Sequence, residues 1–486
     1  MTAHEASAEE RRIVVVGAGM AAARLVEGLV ARGLGPQVTV LGKEHHAPYN
    51  RILLSAVLEG THAPGTLTLR DREWFAEHGV DLRLGVRVVG IDREARVVRT
   101  VDDLDEEQEV AWTDLVLATG LIPKLPPIRG VVDAKGNLHP KVHAFRTMAD
   151  CRDLLAVLPD AQRAVVVGGG LLGLQVARAL AGRGLATEIV EGSEHLMSRQ
   201  LSAPGGRALA RDLRRLGTSV YTGARAVRLT DEGLVLDNGF TLSTDLVILT
   251  AGGRPAMALA RDAGLTVRRG IVVDSRLASV DDPHVHAIGD CAEYVDAEGV
   301  SRTTGFVSPA WEQATVLAEM LSGDTRDYRG SRSVARLRAT DLDVAVMGEP
   351  EEAAADEHTE IVEISNPLAG SYRKLVVRHG VIVGATLVGD LSHVGLITQH
   401  FDRGTRLGPD EPGALLMPPR TTAPTQLHDS TEICSCAGVT AGEIRACSSL
   451  AQVVETTRAT TGCGGCREAV CQLLEQRATT ADVGAR

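Results

Sequence analysis

Ile13-Val14-Val15-Val16-Gly17-Ala18-Gly19-Met20-Ala21-Ala22 is the stretch on which the fold turns. Four apolar, β-favouring residues run into Gly-x-Gly-x-x-Ala, and Leu25, Val26, Leu29 and Val30 then recur at helical spacing. The pattern predicts strand, tight turn and helix. The first glycine permits the turn, and the second lets a pyrophosphate approach the backbone. The small third residue lets the helix lie on the strand, with its N-terminus facing the phosphate charge. One copy would serve equally as a tight connection, so the motif needs support elsewhere in the chain.

That support comes in two forms. After the first helix, Gln37–Leu41 reads as a second strand that leads to Glu44, placed to meet an adenosine ribose or to stand as a solvated loop charge. A second glycine loop, Val165-Val166-Val167-Gly168-Gly169-Gly170-Leu171-Leu172-Gly173, also follows a strand and opens a helix. Glu191 lies 23 positions past Gly168, close to the roughly 20 expected of a residue that binds a ribose 2′-hydroxyl. An acidic group there disfavours a 2′-phosphate, which points to NADH over NADPH; Arg199 is the one nearby basic residue that weakens this reading. Asp114–Gly120, a strand ending in Ala-Thr-Gly, and Asp245–Pro255, a strand ending in Gly-Gly-Arg-Pro, repeat one another and predict two related halves. A glycine at such a strand end lets backbone lie against a flat cofactor. Asp290, after Gly289, is placed for a ribitol hydroxyl or as a helix N-cap from Ala292 onward. Arg51, in Tyr49–Ser55, is placed for a pyrophosphate or a negatively charged flavin, or for a helix surface.

From Ser333 to Arg403 five β-rich runs predict an antiparallel sheet with a hairpin turn at His379-Gly380, followed by a helix around Val394 to Phe401. Leu407 to Asp429 holds five prolines without periodicity and predicts a mobile linker. Beyond it, Cys434-x-Cys436 and Cys463-x-x-Cys466 are joined by short helices, the first opened by a Thr440-x-x-Glu443 capping box. Four thiolates so spaced suit a [2Fe–2S] cluster or zinc about equally. Cys447 and Cys471 read as helix-core residues. Cys151 and Cys291 are isolated, which argues against electron passage through a redox cysteine pair, and Cys291 reads as a small buried side chain.

The net charge of −12 argues against nucleic acid or an acidic membrane as a main partner. The residues Met1–Arg12 have no apolar core, so no signal peptide is read, and no run reaches the length of a membrane span. A cytoplasmic location follows as an expectation, and clustered cysteines in such a chain hold a metal more often than disulfides.

In order, Gly-x-Gly-x-x-Ala, Ala-Thr-Gly, Gly-Gly-Gly-x-x-Gly, Gly-Gly-Arg-Pro and Gly-Asp resemble the two-dinucleotide-domain flavoprotein reductases over about Arg12 to Gly323. Tyr49-Asn50-Arg51-Ile52-Leu53-Leu54-Ser55 is most similar to the nitrite reductase large subunit and the electron-transfer subunit of assimilatory nitrate reductase. Related ferredoxin and rubredoxin reductases carry a lysine after that serine; here it is Ala56. About Thr431 to Leu474 resembles the bacterioferritin-associated-ferredoxin-like [2Fe–2S] domain, and that resemblance selects iron over zinc.

The resemblance implies an α/β fold with two Rossmann-like domains, an α+β interface domain and a small helical [2Fe–2S] domain. The FAD domain is expected at 10–122 and 246–325, with the NAD domain (123–245) inserted into it. The interface domain follows at 332–404, a linker at 405–430 and the cluster domain at 431–478. FAD is expected on Gly17, Gly19, Ala22, Glu44, Arg51, Val88, Ala118, Thr119, Gly120 and Asp290. NADH is expected on Gly168, Gly170, Gly173, Glu191 and Gly253, and the cluster on Cys434, Cys436, Cys463 and Cys466.

The expected activity is an NADH-dependent relay through FAD and cluster to a molybdenum-containing assimilatory nitrate reductase catalytic subunit, with a nitrite reductase as the alternative acceptor. Nitrite reductase large subunits continue into a sirohaem half, whereas the sequence ends at Arg486, so nitrite reduction by this chain itself is not expected. Two rivals are a direct reductase of a small molecule at the flavin and a non-catalytic redox or iron sensor. The second glycine loop disfavours the sensor.

Overall fold

The computed structural model describes residues 11–339, 341–417, 427–462 and 464–483. The chain divides into two compact units. One comprises the chain up to Arg51, Gly65–Ile122 and Gly253–Ser331; the other holds Ile52–Pro64, Pro123–Gly252 and the chain from Arg332.

The first unit is built on a six-stranded sheet. Ile13–Val16 lies at its centre, flanked in parallel by Val38–Gly42 and Asp114–Leu117, with Asp81–Leu84 and Asp282–Ala287 outside them. Both faces of the central strand are covered, so all four of its residues are buried and apolar without alternation. In register, Val16 stands opposite both Leu41 and Leu117, and Leu117 opposite Ala287. Four strands therefore end level at one edge of the sheet. The helices Met20–Val30 and Val307–Leu321 pack on one another beside it.

The second unit repeats this plan. Arg163–Val167 is flanked in parallel by Ala186–Glu191 and Leu246–Leu249, with Ser219–Thr222 and Val142–Ala144 outside. The expected boundary at 245/246 therefore moves to 252/253, because Leu246–Leu249 is a strand of the second sheet. Leu54–Glu59 also belongs to this unit, where it packs on helix Leu171–Gly182, and not with the first half as the sequence suggested.

Beyond Arg332 the second unit adds an antiparallel sheet in the order Val334–Ala339, Leu342–Gly348, Val381–Val388, Ser371–Arg378, Thr359–Asn366. His379 and Gly380 adopt φ 51° and 78°, the left-handed pair of a tight hairpin turn, as expected. The linker expectation fails for its first part: Glu411–Leu416 is a helix, and Leu407, Leu415 and Leu416 are buried in this domain's core. Proline at the second position of that helix is compatible with its first turn, so the prolines that suggested a linker do not exclude helix. Residues 418–426 of the expected linker lie outside the described residues.

The last domain has a short hairpin of Glu432–Cys434 with Val439–Thr440, then helices Ala441–Ala446, Leu450–Thr457 and Arg467–Val483. The capping box forms: Thr440 N–H donates to Glu443 Oε2 at 2.7 Å, and the Glu443 amide donates to Thr440 Oγ1 at 3.4 Å.

His286, on the Asp282–Ala287 strand, is buried, and desolvation pushes its pKa down to about 4 from an ordinary 6.5. Between those values the unfolded chain holds the extra proton, so stability contributed by this group is present above pH 6.5 and is lost as pH falls toward 4. About 3 kcal/mol of stability in the first unit should vanish between pH 7 and pH 4 from this group. Urea titrations of the full chain across that range should show a shallower pH dependence for His286→Leu; identical slopes would remove His286 as the cause.

Candidate cofactor-binding sites

The level strand ends of the first sheet assemble the first site. Gly17 N–H donates to Leu41 O (2.8 Å) and Ala118 N–H to Val16 O (2.9 Å), which fixes the turn between two strand ends. Gly17 has φ +111°, and a Cβ there would collide with the Ala118 carbonyl, so only glycine fits. Gly19 caps helix Met20–Val30 without a side-chain hydrogen bond. A Cβ on Gly19 would meet nothing within 4 Å. The first-turn amides therefore open onto free space, which suits a phosphate group. Ala22 is buried where the helix rests on the sheet.

Gly120, at φ +67°, also faces open space, and Thr119 Oγ1 donates to Ala256 O at 2.9 Å to hold the strand end. The Gly289–Asp290 turn abuts the start of the same helix, since a Cβ on Gly289 would lie 3.2 Å from the Ala21 methyl. Gly289 N–H donates to the buried Gln313 Oε1 at 2.7 Å. Asp290 is half-buried in that turn. It caps no helix, because Gly289–Cys291 is a 3-10 turn and Ala292–Val295 is a strand; the N-cap alternative is thereby excluded.

Glu44 and Arg51 form an ion pair, Tyr49 Oη donates to Glu44 Oε2 at 2.7 Å, and the Arg51 guanidinium lies over the Tyr49 ring. The two residues read separately from the sequence are thus one unit, a link that spacing alone does not reveal. Val88 is buried in the core, so a cofactor contact there falls to its backbone. Cys291 is fully buried, its thiol donating to Leu117 O and Ile288 O at 3.3 Å, and burial pushes its pKa up. A thiol held neutral in this way is a packing residue, as expected.

The second site repeats the two backbone hydrogen bonds that fix the first. Gly168 N–H donates to Val190 O and Thr250 N–H to Val167 O, each at 2.9 Å. Gly168 has φ +118°, and a Cβ would lie 2.6 Å from Thr250 O. Gly170 caps helix Leu171–Gly182 without a side chain and faces open space, while a Cβ on Gly173 would strike the Gly168 carbonyl. Glu191, at a strand end, accepts from Gly169 N–H (2.6 Å) and Ser193 N–H (2.7 Å). It braces the loop as well as presenting a carboxylate. Gly253, expected here, belongs to the first unit, where a Cβ on it would lie 3.1 Å from the Leu121 Cβ.

In the last domain, Cys434 and Cys466 are buried and Cys436 half-buried, and all three share one small core with Cys447. Cys463 lies outside the described residues, and among the described residues no group of three ligating side chains closes on a metal position. The donor chemistry nonetheless fits an iron–sulfur cluster. Thr460 N–H points at Cys466 Sγ at 3.2 Å, and Thr460 holds φ +72° to do so, an unusual conformation for a β-branched residue. Cys471 is half-buried on the last helix.

Comparison with known proteins agrees with this geometry. The family model described as pyridine nucleotide-disulphide oxidoreductase matches residues 11–314. The chain belongs to that family. A rubredoxin NAD+ reductase C-terminal domain matches 334–405, and a BFD-like [2Fe-2S] binding domain matches 432–476. A nitrite reductase [NAD(P)H] of Bacillus subtilis is 33% identical over 96% of the chain and 58% of the relative. The assimilatory nitrate reductase electron transfer subunit of the same organism is 30% identical over 96% of the chain and 60% of the relative. A crystal structure of a ferredoxin reductase from Rhodopseudomonas palustris superposes with a TM-score of 0.70 at 27% identity, covering 79% of this chain and 93% of that one. The chain thus spans about half the length of the curated relatives it matches. This pyridine nucleotide-disulphide oxidoreductase carries a BFD-like [2Fe–2S] binding domain and is related to the nitrate and nitrite enzymes. Among the described residues no helix is long and apolar enough to cross a membrane.

Proposed function

We propose that the chain passes electrons from NADH through FAD and a [2Fe–2S] cluster to a molybdenum-containing assimilatory nitrate reductase catalytic subunit, in the cytoplasm. The observation that carries this reading is the match of all but a few per cent of the chain to an assimilatory nitrate reductase electron transfer subunit, 96% being covered. A nitrite reductase is the second acceptor to weigh, favoured by the 33% identity of a nitrite reductase over the same span.

When bound, NADH supplies a hydride, FAD takes its two electrons together and can release them singly, and the cluster carries one at a time. The chain's part is to bind and aim these groups. Gly17, Gly19 and Ala22 let the FAD pyrophosphate reach the first helix N-terminus; Gly120 lets backbone approach the ring, and Asp290 takes a ribitol hydroxyl. The Glu44–Arg51 pair meets the adenosine ribose and the phosphates. Gly168, Gly170 and Gly173 take the NADH pyrophosphate, and Glu191 the ribose of its adenosine. Cys434, Cys436, Cys463 and Cys466 hold the cluster, with the Thr460 amide directed at one thiolate.

An absorbance spectrum of anaerobically purified protein before and after NADH tests the reading. Flavin and iron–sulfur bands should be present together and both should bleach with NADH, more slowly with NADPH because Glu191 would repel the 2′-phosphate. Zinc in place of iron, or a flavin that NADH leaves oxidised, would overturn it.

A further inference from the structure

The domain at 334–405 touches both cysteine loops of the last domain, each at its midpoint. Arg336, on the edge strand Val334–Ala339, donates from Nη1 to Gly465 O at 2.7 Å. Gly465 lies between Cys463 and Cys466. Ser435, between Cys434 and Cys436, donates from Oγ to Asp402 Oδ2 at 3.1 Å. Asp402 and Thr398 are one turn apart on helix Val394–Arg403, hence on one face. Arg336 Nη2 also reaches Thr398 Oγ1, at 3.5 Å. One strand and one helix face therefore meet both ligand loops.

The fit at Gly465 is close enough to be specific. A Cβ there would lie 2.6 Å from Arg336 Nη1 and 2.7 Å from its Cδ. Arg336 is half-buried and Gly465 buried, so this hydrogen bond is partly shielded from water. The Ser435–Asp402 bond is solvent-exposed and therefore the weaker of the two. A cleft of about 260 Å³ opens beside the same loop, lined by Thr460, Gly464 and Arg467 on one side and by Ser55, Ala56 and Glu59 on the other.

We propose that Arg336 and Asp402 are positioning residues that seat the cluster domain, holding Gly465 beside Cys466 and Ser435 between Cys434 and Cys436. This rests on reading those cysteines as cluster ligands. A guanidinium serves this purpose better than a hydrophobic contact. It fixes the carbonyl direction of Gly465, and so the path of the chain between two ligands, and it sets a positive charge beside a site of negative charge.

The test is hydrogen–deuterium exchange on the full-length protein together with the rate of iron release to a chelator. Arg336→Met should raise amide exchange in the peptides spanning 433–438 and 460–467 roughly tenfold or more, the size expected for a lost hydrogen bond to a charged donor. It should speed iron release in parallel, with FAD content and flavin bleaching by NADH unchanged. Arg336→Lys should restore part of the protection, and Ser435→Ala should give a smaller change confined to the first loop. Wild-type exchange in Arg336→Met would overturn the proposal, as would faster exchange spread evenly over the whole chain. If the purified wild type holds zinc, the cluster assignment fails, yet the exchange comparison still decides whether the seat exists.

Discussion

Gly17→Val should purify without flavin colour. Gly17 sits at φ +111°, where a β-branched residue is strongly disfavoured, and its Cβ would enter the space of the Ala118 carbonyl, with the Ala118 carbonyl carbon at only 2.8 Å. Left-handed strain costs about 1–2 kcal/mol, and overpacking at a strand end adds about 1–3 kcal/mol. Relief requires the turn to leave the Val16 and Leu117 strand ends, and that motion swings the first-turn amides away from the phosphate position. At about 1.4 kcal/mol per tenfold, FAD affinity should fall at least about 100-fold. Gly19→Ala is the informative partner. Gly19 has ordinary φ, and its Cβ meets no protein atom within 4 Å. That variant should fold normally and lose FAD affinity only through the methyl group's intrusion on the ligand. Flavin released by denaturation, per chain, measures both. Stoichiometric flavin in Gly17→Val would sink the assignment of this loop, and Gly168→Val, at the matching position, should instead spare FAD and abolish bleaching by NADH.

Much of this was legible because strand–glycine–helix is a local pattern. Gly17 and Gly168 each needed only their own neighbours to be read, and the two copies corroborated one another. The His379-Gly380 turn and the Thr440–Glu443 capping box were visible for the same reason: both ends of the interaction lie within a few residues. What was missed depends on distant partners. Glu44 and Arg51 were weighed as separate ligands, whereas their pairing arises from a turn whose course the residues do not state. The boundary at 245/246 was misplaced because Leu246–Leu249 is as apolar as any central strand, and nothing in it says which sheet it joins. The prolines after Leu407 suggest a linker because a helix beginning Glu411-Pro412 shows too few apolar residues to display a period. The Arg336–Gly465 bond spans 129 positions, and no motif marks it.

Cys466→Ser is the second large effect, and it separates the two ends of the proposed relay. Cys466 is buried, begins the turn into the last helix, and receives the Thr460 amide at 3.2 Å, so its sulfur is positioned by the backbone of the preceding loop. A serine hydroxyl is smaller, harder and far less readily deprotonated than a thiol, so it is a poor ligand for iron in a sulfide cluster. Losing even an outer partner of a metal ligand costs about 10–100-fold in metal affinity or activity, and losing the ligand itself should cost more. Iron content should fall to a small fraction of the wild-type value, and electron delivery to a nitrate reductase catalytic subunit by at least about 100-fold. Flavin content and the rate at which NADH bleaches it should hold, because both glycine loops are untouched. Cys471→Ser is the control: Cys471 is half-buried on the last helix and outside the four-cysteine set, so its variant should keep both iron and acceptor reduction. Should Cys466→Ser reduce the acceptor protein as fast as the wild type does, electrons leave directly from the flavin. The last domain would then have a structural role, and the direct-reductase reading would replace the relay.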